Sequence, residues 1–119
     1  MTSLEQVNEM AKILDSRKGF DIAIINVKEQ TIIADYFLIC SGTSNTHVKT
    51  LAEELEMKTA ELGIQKLRIE GVREGRWVVV DFGDILVHIF HKEEREYYDI
   101  ERLWTNGSNI TKFVPENMQ

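Results

Sequence analysis

Only one cysteine, Cys40, occurs in the 119 residues, so no internal disulfide can form and the cross-linked scaffold of a small secreted domain is excluded. Long apolar runs are missing as well. No stretch approaches the ~20 apolar residues that a helix needs to cross a bilayer, and the opening MTSLEQVNEM has neither a basic amino-terminal segment nor an arginine-rich amphipathic leader. A cytoplasmic location is the expectation, with no membrane partner. Positive charge is in deficit: 14 basic against 20 acidic residues leave a formal net charge of −6. That balance opposes binding to bare nucleic acid, where neutralised phosphates supply most of the affinity, so direct sequence-specific nucleic acid binding is not expected. It favours encounter with a basic protein surface.

What is present suits one domain, because 43% hydrophobic residues fill a single core without metals or cross-links. Ser3 with Gln6 has the spacing of a capping box, and Leu4, Val7, Met10 or Ala11 and Leu14 recur at helical intervals, which predicts a helix over about residues 4–17. Two strands are expected at 21–27 and 33–41, rich in Ile, Phe, Tyr and Val and joined by Lys28, Glu29 and Gln30. Ser41 to Asn45 supplies turn and cap chemistry for a second helix, whose Val48, Leu51, Ala52, Leu55, Thr59 and Leu62 form one stripe. A short strand over 66–70 precedes the strongest strand signal in the chain, Trp77 to Phe90. Gly83-Asp84 breaks it into a hairpin that pairs Phe82 with Ile85, Val80 with Val87 and Val78 with Ile89.

Strand side chains alternate, so this register gives the hairpin two unlike faces. Val78, Val80, Phe82, Ile85, Val87 and Ile89 form an apolar face suited to lie beneath helices. Trp77, Val79, Asp81, Leu86, His88 and Phe90 form the other, too polar for a dry core and too aromatic for a face that meets only water. A third helix is expected from Glu93 to Trp104, and residues 105–119 are expected to be a mobile tail outside the domain of residues 1–104. The fold class is thus α/β of the α+β kind, a mixed sheet of about five strands with helices mainly on one side.

Candidate chemistry is sparse. Asp81-Phe82-Gly83 spells the tripeptide that holds magnesium in protein kinases, but the glycine-rich loop, strand lysine and catalytic segment of those enzymes are missing. His88 and His91 would point to opposite faces of a strand and so cannot share a metal without a bulge. Ser41 to Asn45, at a helix start, could attract an anion, yet the loop holds no Lys or Arg and capping accounts for it. Cys40 lies in an apolar strand, where a thiol is a small buried hydrophobe, and His47 nearby has no evident third group to orient it. Aromatic residues carry most interface hot spots, and Trp77, Tyr97, Tyr98 and Trp104, joined by the open hairpin face, point to docking on a macromolecule rather than catalysis. Two other classes stay open: a transferase using Ser41 to Asn45 with Asp81 and Asp84 on magnesium and nucleotide, and a homodimer pairing its aromatic faces.

The segments Ala34-Asp35-Tyr36-Phe37-Leu38-Ile39-Cys40-Ser41-Gly42-Thr43-Ser44-Asn45-Thr46, Glu70-Gly71, Trp77 to Asp84, Val87-His88-Ile89-Phe90-His91, Arg95-Glu96-Tyr97-Tyr98 and Leu103-Trp104 together resemble the ribosomal silencing factor family, in order and at its spacing. The resemblance covers about residues 4–104. It implies a nucleotidyltransferase-like fold and a protein that binds the fourteenth protein of the large ribosomal subunit, on the face that meets the small subunit. Subunit joining is then blocked and translation damped when nutrients are scarce. Transferases of that fold hold magnesium with two acidic residues one apart on a strand, whereas Asp81 and Asp84 flank an expected turn. No catalytic residue, cofactor or metal is therefore expected. Mitochondrial members carry a leader that this chain lacks, which points to the bacterial form. The residues expected at the docking patch are Trp77, Asp81, His88, Tyr98 and Trp104, with a homodimer possible when the protein is free.

Overall fold

Thr2, not Ser3, caps the first helix. In the computed structural model, which describes residues 1–115, helix α1 runs Ser3–Ser16. Thr2 Oγ1 accepts from the Glu5 N–H at 3.1 Å, and Glu5 Oε1 accepts from the Thr2 N–H at 2.9 Å. The capping box is real but sits one residue earlier than the Ser3–Gln6 spacing suggests. Val7, Met10, Ala11 and Leu14 face inward. After the helix, Gly19 lets the chain pass close to Cys40 and the end of α1: a Cβ there would lie 2.5 Å from Cys40 Sγ and 2.9 Å from the Leu14 carbonyl oxygen.

Strands β1 (Phe20–Asn26) and β2 (Tyr36–Gly42), helix α2 (Asn45–Glu61), and strands β3 (Arg68–Glu70), β4 (Trp77–Asp81) and β5 (Ile85–His91) follow. The chain closes with helices α3 (Lys92–Tyr98) and α4 (Ile100–Trp104) and strand β6 (Ile110–Lys112). The sheet order is β3-β4-β5-β2-β1-β6. Its central β2–β5 pair is parallel and the other four pairings are antiparallel. A mixed α+β sheet is what the pattern predicts. Strand β2 starts later than expected, because residues 27–35 form a surface loop pinned by Val27 N–H to the Asp35 carbonyl and Asp35 N–H to the Asp84 carbonyl.

Two expectations need correction. The segment expected to be a mobile tail instead supplies a sixth strand to the expected sheet of about five. There Ile110, Thr111 and Lys112 pair with Ile25, Ile24 and Ala23, and Asn109 Nδ2 donates to the carbonyls of Asn26 and Trp104 at 2.9 and 2.8 Å. A carboxamide that satisfies two carbonyls anchors a strand too short to announce itself by alternation. Residues 116–119 of that segment lie outside the described residues. The single helix expected from Glu93 to Trp104 is two helices, broken at Asp99, which adopts a left-handed conformation with φ 45°.

The hairpin register matches expectation: Val78 faces Ile89, Val80 faces Val87, and the Phe82 N–H donates to the Ile85 carbonyl at 2.9 Å. Gly83 takes φ 91°, as a two-residue turn with glycine first requires. Val78, Val80, Ile85, Val87 and Ile89 join the main core beneath α1 and α2. Helices are not confined to that side. On the opposite face Ile25, Val27, Ala34, Phe37, Ile39 and Phe90 form a second, smaller core, against which Trp77, Leu86, Ile100 and Trp104 pack.

Candidate protein-docking face

Alternation along β4 and β5 puts Trp77, His88 and Phe90 on this second face. Trp77 stacks on Phe90 with ring centroids 4.8 Å apart, and its indole Nε1–H donates to His88 Nδ1 at 3.2 Å. An indole can only donate, so Nδ1 is the accepting nitrogen and neutral His88 carries its proton on Nε2. His88 is 8% exposed, and burial lowers its pKa from 6.5 to about 4. It is a neutral prop for the tryptophan.

Helix α3 brings Tyr98 over Trp77, centroids 4.9 Å apart, and Tyr97 meets Tyr98 edge-on at 5.0 Å. These tyrosines are 45% and 79% exposed. Helix α4 sets Trp104 edge-on to Phe37 at 5.0 Å, and Phe37 in turn meets His88 at 5.1 Å. Trp77 therefore touches both His88 and Tyr98, and Trp104 joins them through Phe37. Asp81 does not. Four residues further along β4, at a rise of ~3.3 Å per residue, it lies about 13 Å from Trp77. There its Oδ1 accepts from the Gly83 N–H at 2.8 Å, and its other oxygen pairs with Arg68 at 3.6 Å.

Helix α3 is fastened on both sides. Outside, Arg76 reaches Glu94 at 2.6 Å. Inside, Arg95 pairs with Glu101 at 2.9 Å, which lowers the pKa of that carboxyl, chiefly through the hydrogen bonds Arg95 donates. Phe37 and Arg95 were legible in sequence only as members of a motif. Phe37 sits in a run of apolar residues that all look alike, and Arg95 lies six residues from its partner across the break at Asp99, a spacing no continuous helix would bring together.

The other candidates resolve into structural roles. Ser44 caps α2 by accepting from the His47 N–H at 3.0 Å. Both His47 nitrogens are engaged, Nδ1 accepting from the Thr43 N–H at 2.9 Å and Nε2 lying 2.8 Å from the Arg17 carbonyl. Ser41 bonds to Arg95 rather than capping the helix. Cys40 is fully buried, and burial pushes its pKa up to about 12. His91 Nδ1 accepts from the Glu93 N–H at the start of α3. Among the described residues no three His, Cys, Asp or Glu side chains are grouped to hold a metal ion, and no helix is long and apolar enough to cross a membrane.

The molecule is thus a mixed sheet with two long helices on one side and an exposed aromatic ledge on the other. A family model described as ribosomal silencing factor during starvation matches residues 1–119. The chain belongs to the ribosomal silencing factor family. It is 39% identical over 110 residues to ribosomal silencing factor RsfS of Halalkalibacterium halodurans, covering 92% of this chain and 94% of that one. A crystal structure of a Chromobacterium violaceum protein superposes with a TM-score of 0.83 at 33% identity, covering 96% of this chain and 95% of that one. A mouse relative named mitochondrial assembly of ribosomal large subunit protein 1 is 32% identical over 102 residues, 83% of this chain and 45% of its own length.

Proposed function

We propose that this protein silences ribosomes in the cytoplasm by docking on the large subunit through its fourteenth protein, so that its bulk occupies space the small subunit needs. Translation falls as a result, in the nutrient-limited state that the family description names. The mechanism is steric and requires no turnover, cofactor or metal. The observation that carries this reading is the exposed tyrosine pair braced on Trp77, since rigid aromatics at the centre of a patch bury much area at low entropic cost. Tyr98, Trp77 and Trp104 form the contact, His88 supports it from beneath, and Asp81 marks its far edge.

The charges agree with a basic partner. Glu93, Glu94 and Glu96 lie on α3 beside the ledge, and the whole chain carries −6, which complements a ribosomal protein in an RNA-rich particle. The mouse relative's name supports the large subunit as the target. In the free protein the same ledge pairs with a second copy, which competes with docking.

Sedimentation with separated subunits, followed by 70S assembly from the same subunits, tests the reading. Co-sedimentation with the large subunit alone and loss of 70S particles is the expected result; absence of binding to either subunit would overturn it.

A further inference from the structure

Among the described residues Arg95 is the only lysine or arginine that is buried, at 9% exposure. Its guanidinium donates to the main-chain carbonyl of Asp21 in β1, to Ser41 Oγ in β2 at 2.9 Å, and to both carboxylate oxygens of Glu101 in α4 at 2.9 and 3.0 Å. One side chain on α3 thus joins two strands and the next helix. The strand at its foot is shaped for the purpose. β1 slips register between Phe20 and Ala23, and Asp21 within that slip takes φ 49°, a bulge of the kind that re-aims a group out of the ladder.

Helices of seven and five residues do not hold their shape unaided, because helix formation has a costly nucleus. Between them Asp99 keeps a left-handed conformation without being glycine. The other tie on α3, Arg76 to Glu94, is partly open to solvent at 44% and 23% exposure, where an ion pair contributes little. The buried, two-pronged Arg95–Glu101 pair is the stronger restraint, and it spans the corner that sets Tyr98 on Trp77 and Trp104 on Phe37.

We propose that Arg95 is the positioning residue of the docking face: it touches no partner, and it fixes the α3–α4 corner against β1 and β2 so that Tyr98 and Trp104 stand in binding geometry. The proposal rests on the docking function given above. Both tryptophans of the chain, Trp77 and Trp104, lie on this face, so intrinsic emission reports its order while far-ultraviolet circular dichroism reports the sheet and the long helices.

The test is Arg95→Met in the full chain. Its tryptophan emission should shift to the red, and its affinity for the large subunit should fall about tenfold or more, with the far-ultraviolet spectrum near that of the unaltered protein. Arg95→Lys, which keeps charge but not the fork, should recover part of both. If Arg95→Met does not fold, Glu101→Gln, which keeps shape and one acceptor, decides the matter and should show a smaller red shift with partly weakened binding. Unchanged emission with unchanged binding would overturn the proposal. So would lost binding with unchanged emission, since Arg95 would then be a contact residue. Should the unaltered protein fail to bind the large subunit, the docking function falls while the emission comparison still decides whether Arg95 orders the face.

Discussion

On the proposed function, Tyr98 and His88 divide the work of binding and folding within one cluster. Tyr98 stands half out of the protein, so Tyr98→Ala should lower large-subunit affinity by about 2 kcal/mol, roughly 30-fold. Its thermal midpoint should move little, as scanning calorimetry beside the sedimentation assay would show. Trp77→Ala should lose affinity and stability together, because the indole packs on Phe90 and bonds to His88. His88 makes stability depend on pH. Its folded pKa of about 4 lies below the ordinary 6.5, so the unfolded chain takes up the proton first as pH falls. The contribution is complete above pH 6.5 and is lost towards pH 4, by about 3 kcal/mol over that range. His88→Asn, whose oxygen can accept from Trp77 in place of Nδ1, should flatten that slope in urea titrations between pH 7 and 5. At this scale Trp77, Tyr98 and Trp104 were legible because their type is informative. Phe37 and Arg95 were not, because their partners come from distant parts of the chain.

Among the elements, the β4–β5 hairpin was the most legible, since alternation and one Gly-Asp turn fix its register. The break at Asp99 was hidden, because a left-handed aspartate leaves no mark that distinguishes it from an ordinary helical aspartate. β6 was hidden too: three residues are too few to show a period, and what holds them is the Asn109 carboxamide. The α1–β1 junction is sensitive for a different reason. Gly19→Ala would press a methyl group on Cys40 Sγ and the Leu14 carbonyl oxygen, and should cost about 2 kcal/mol in chemical unfolding. Adding Cys40→Ala relieves only the sulfur contact, so it should recover part of that loss.

The whole molecule is a charged body with an aromatic foot. Its −6 charge should speed arrival at a basic target and be screened by salt, since the Debye length shrinks from about 10 Å at 0.1 M to about 3 Å at 1 M. The association rate measured by surface plasmon resonance on immobilised large subunits should therefore fall as salt rises. Dissociation, governed by buried aromatic contacts, should change much less. A dissociation rate as salt-sensitive as the association rate would assign the hold to charge instead.

The docking face also has a place in the order of synthesis. Phe37 comes from β2, Trp77 from β4, His88 and Phe90 from β5, Tyr98 from α3 and Trp104 from α4, so the surface does not exist until translation has passed residue 104. On the proposed function, a nascent chain short of that point lacks the surface that docks. If the proposed docking holds, a fragment comprising residues 1–91, which keeps Trp77 but lacks Tyr97, Tyr98 and Trp104, should bind the large subunit about tenfold or more weakly than the full chain in the sedimentation assay.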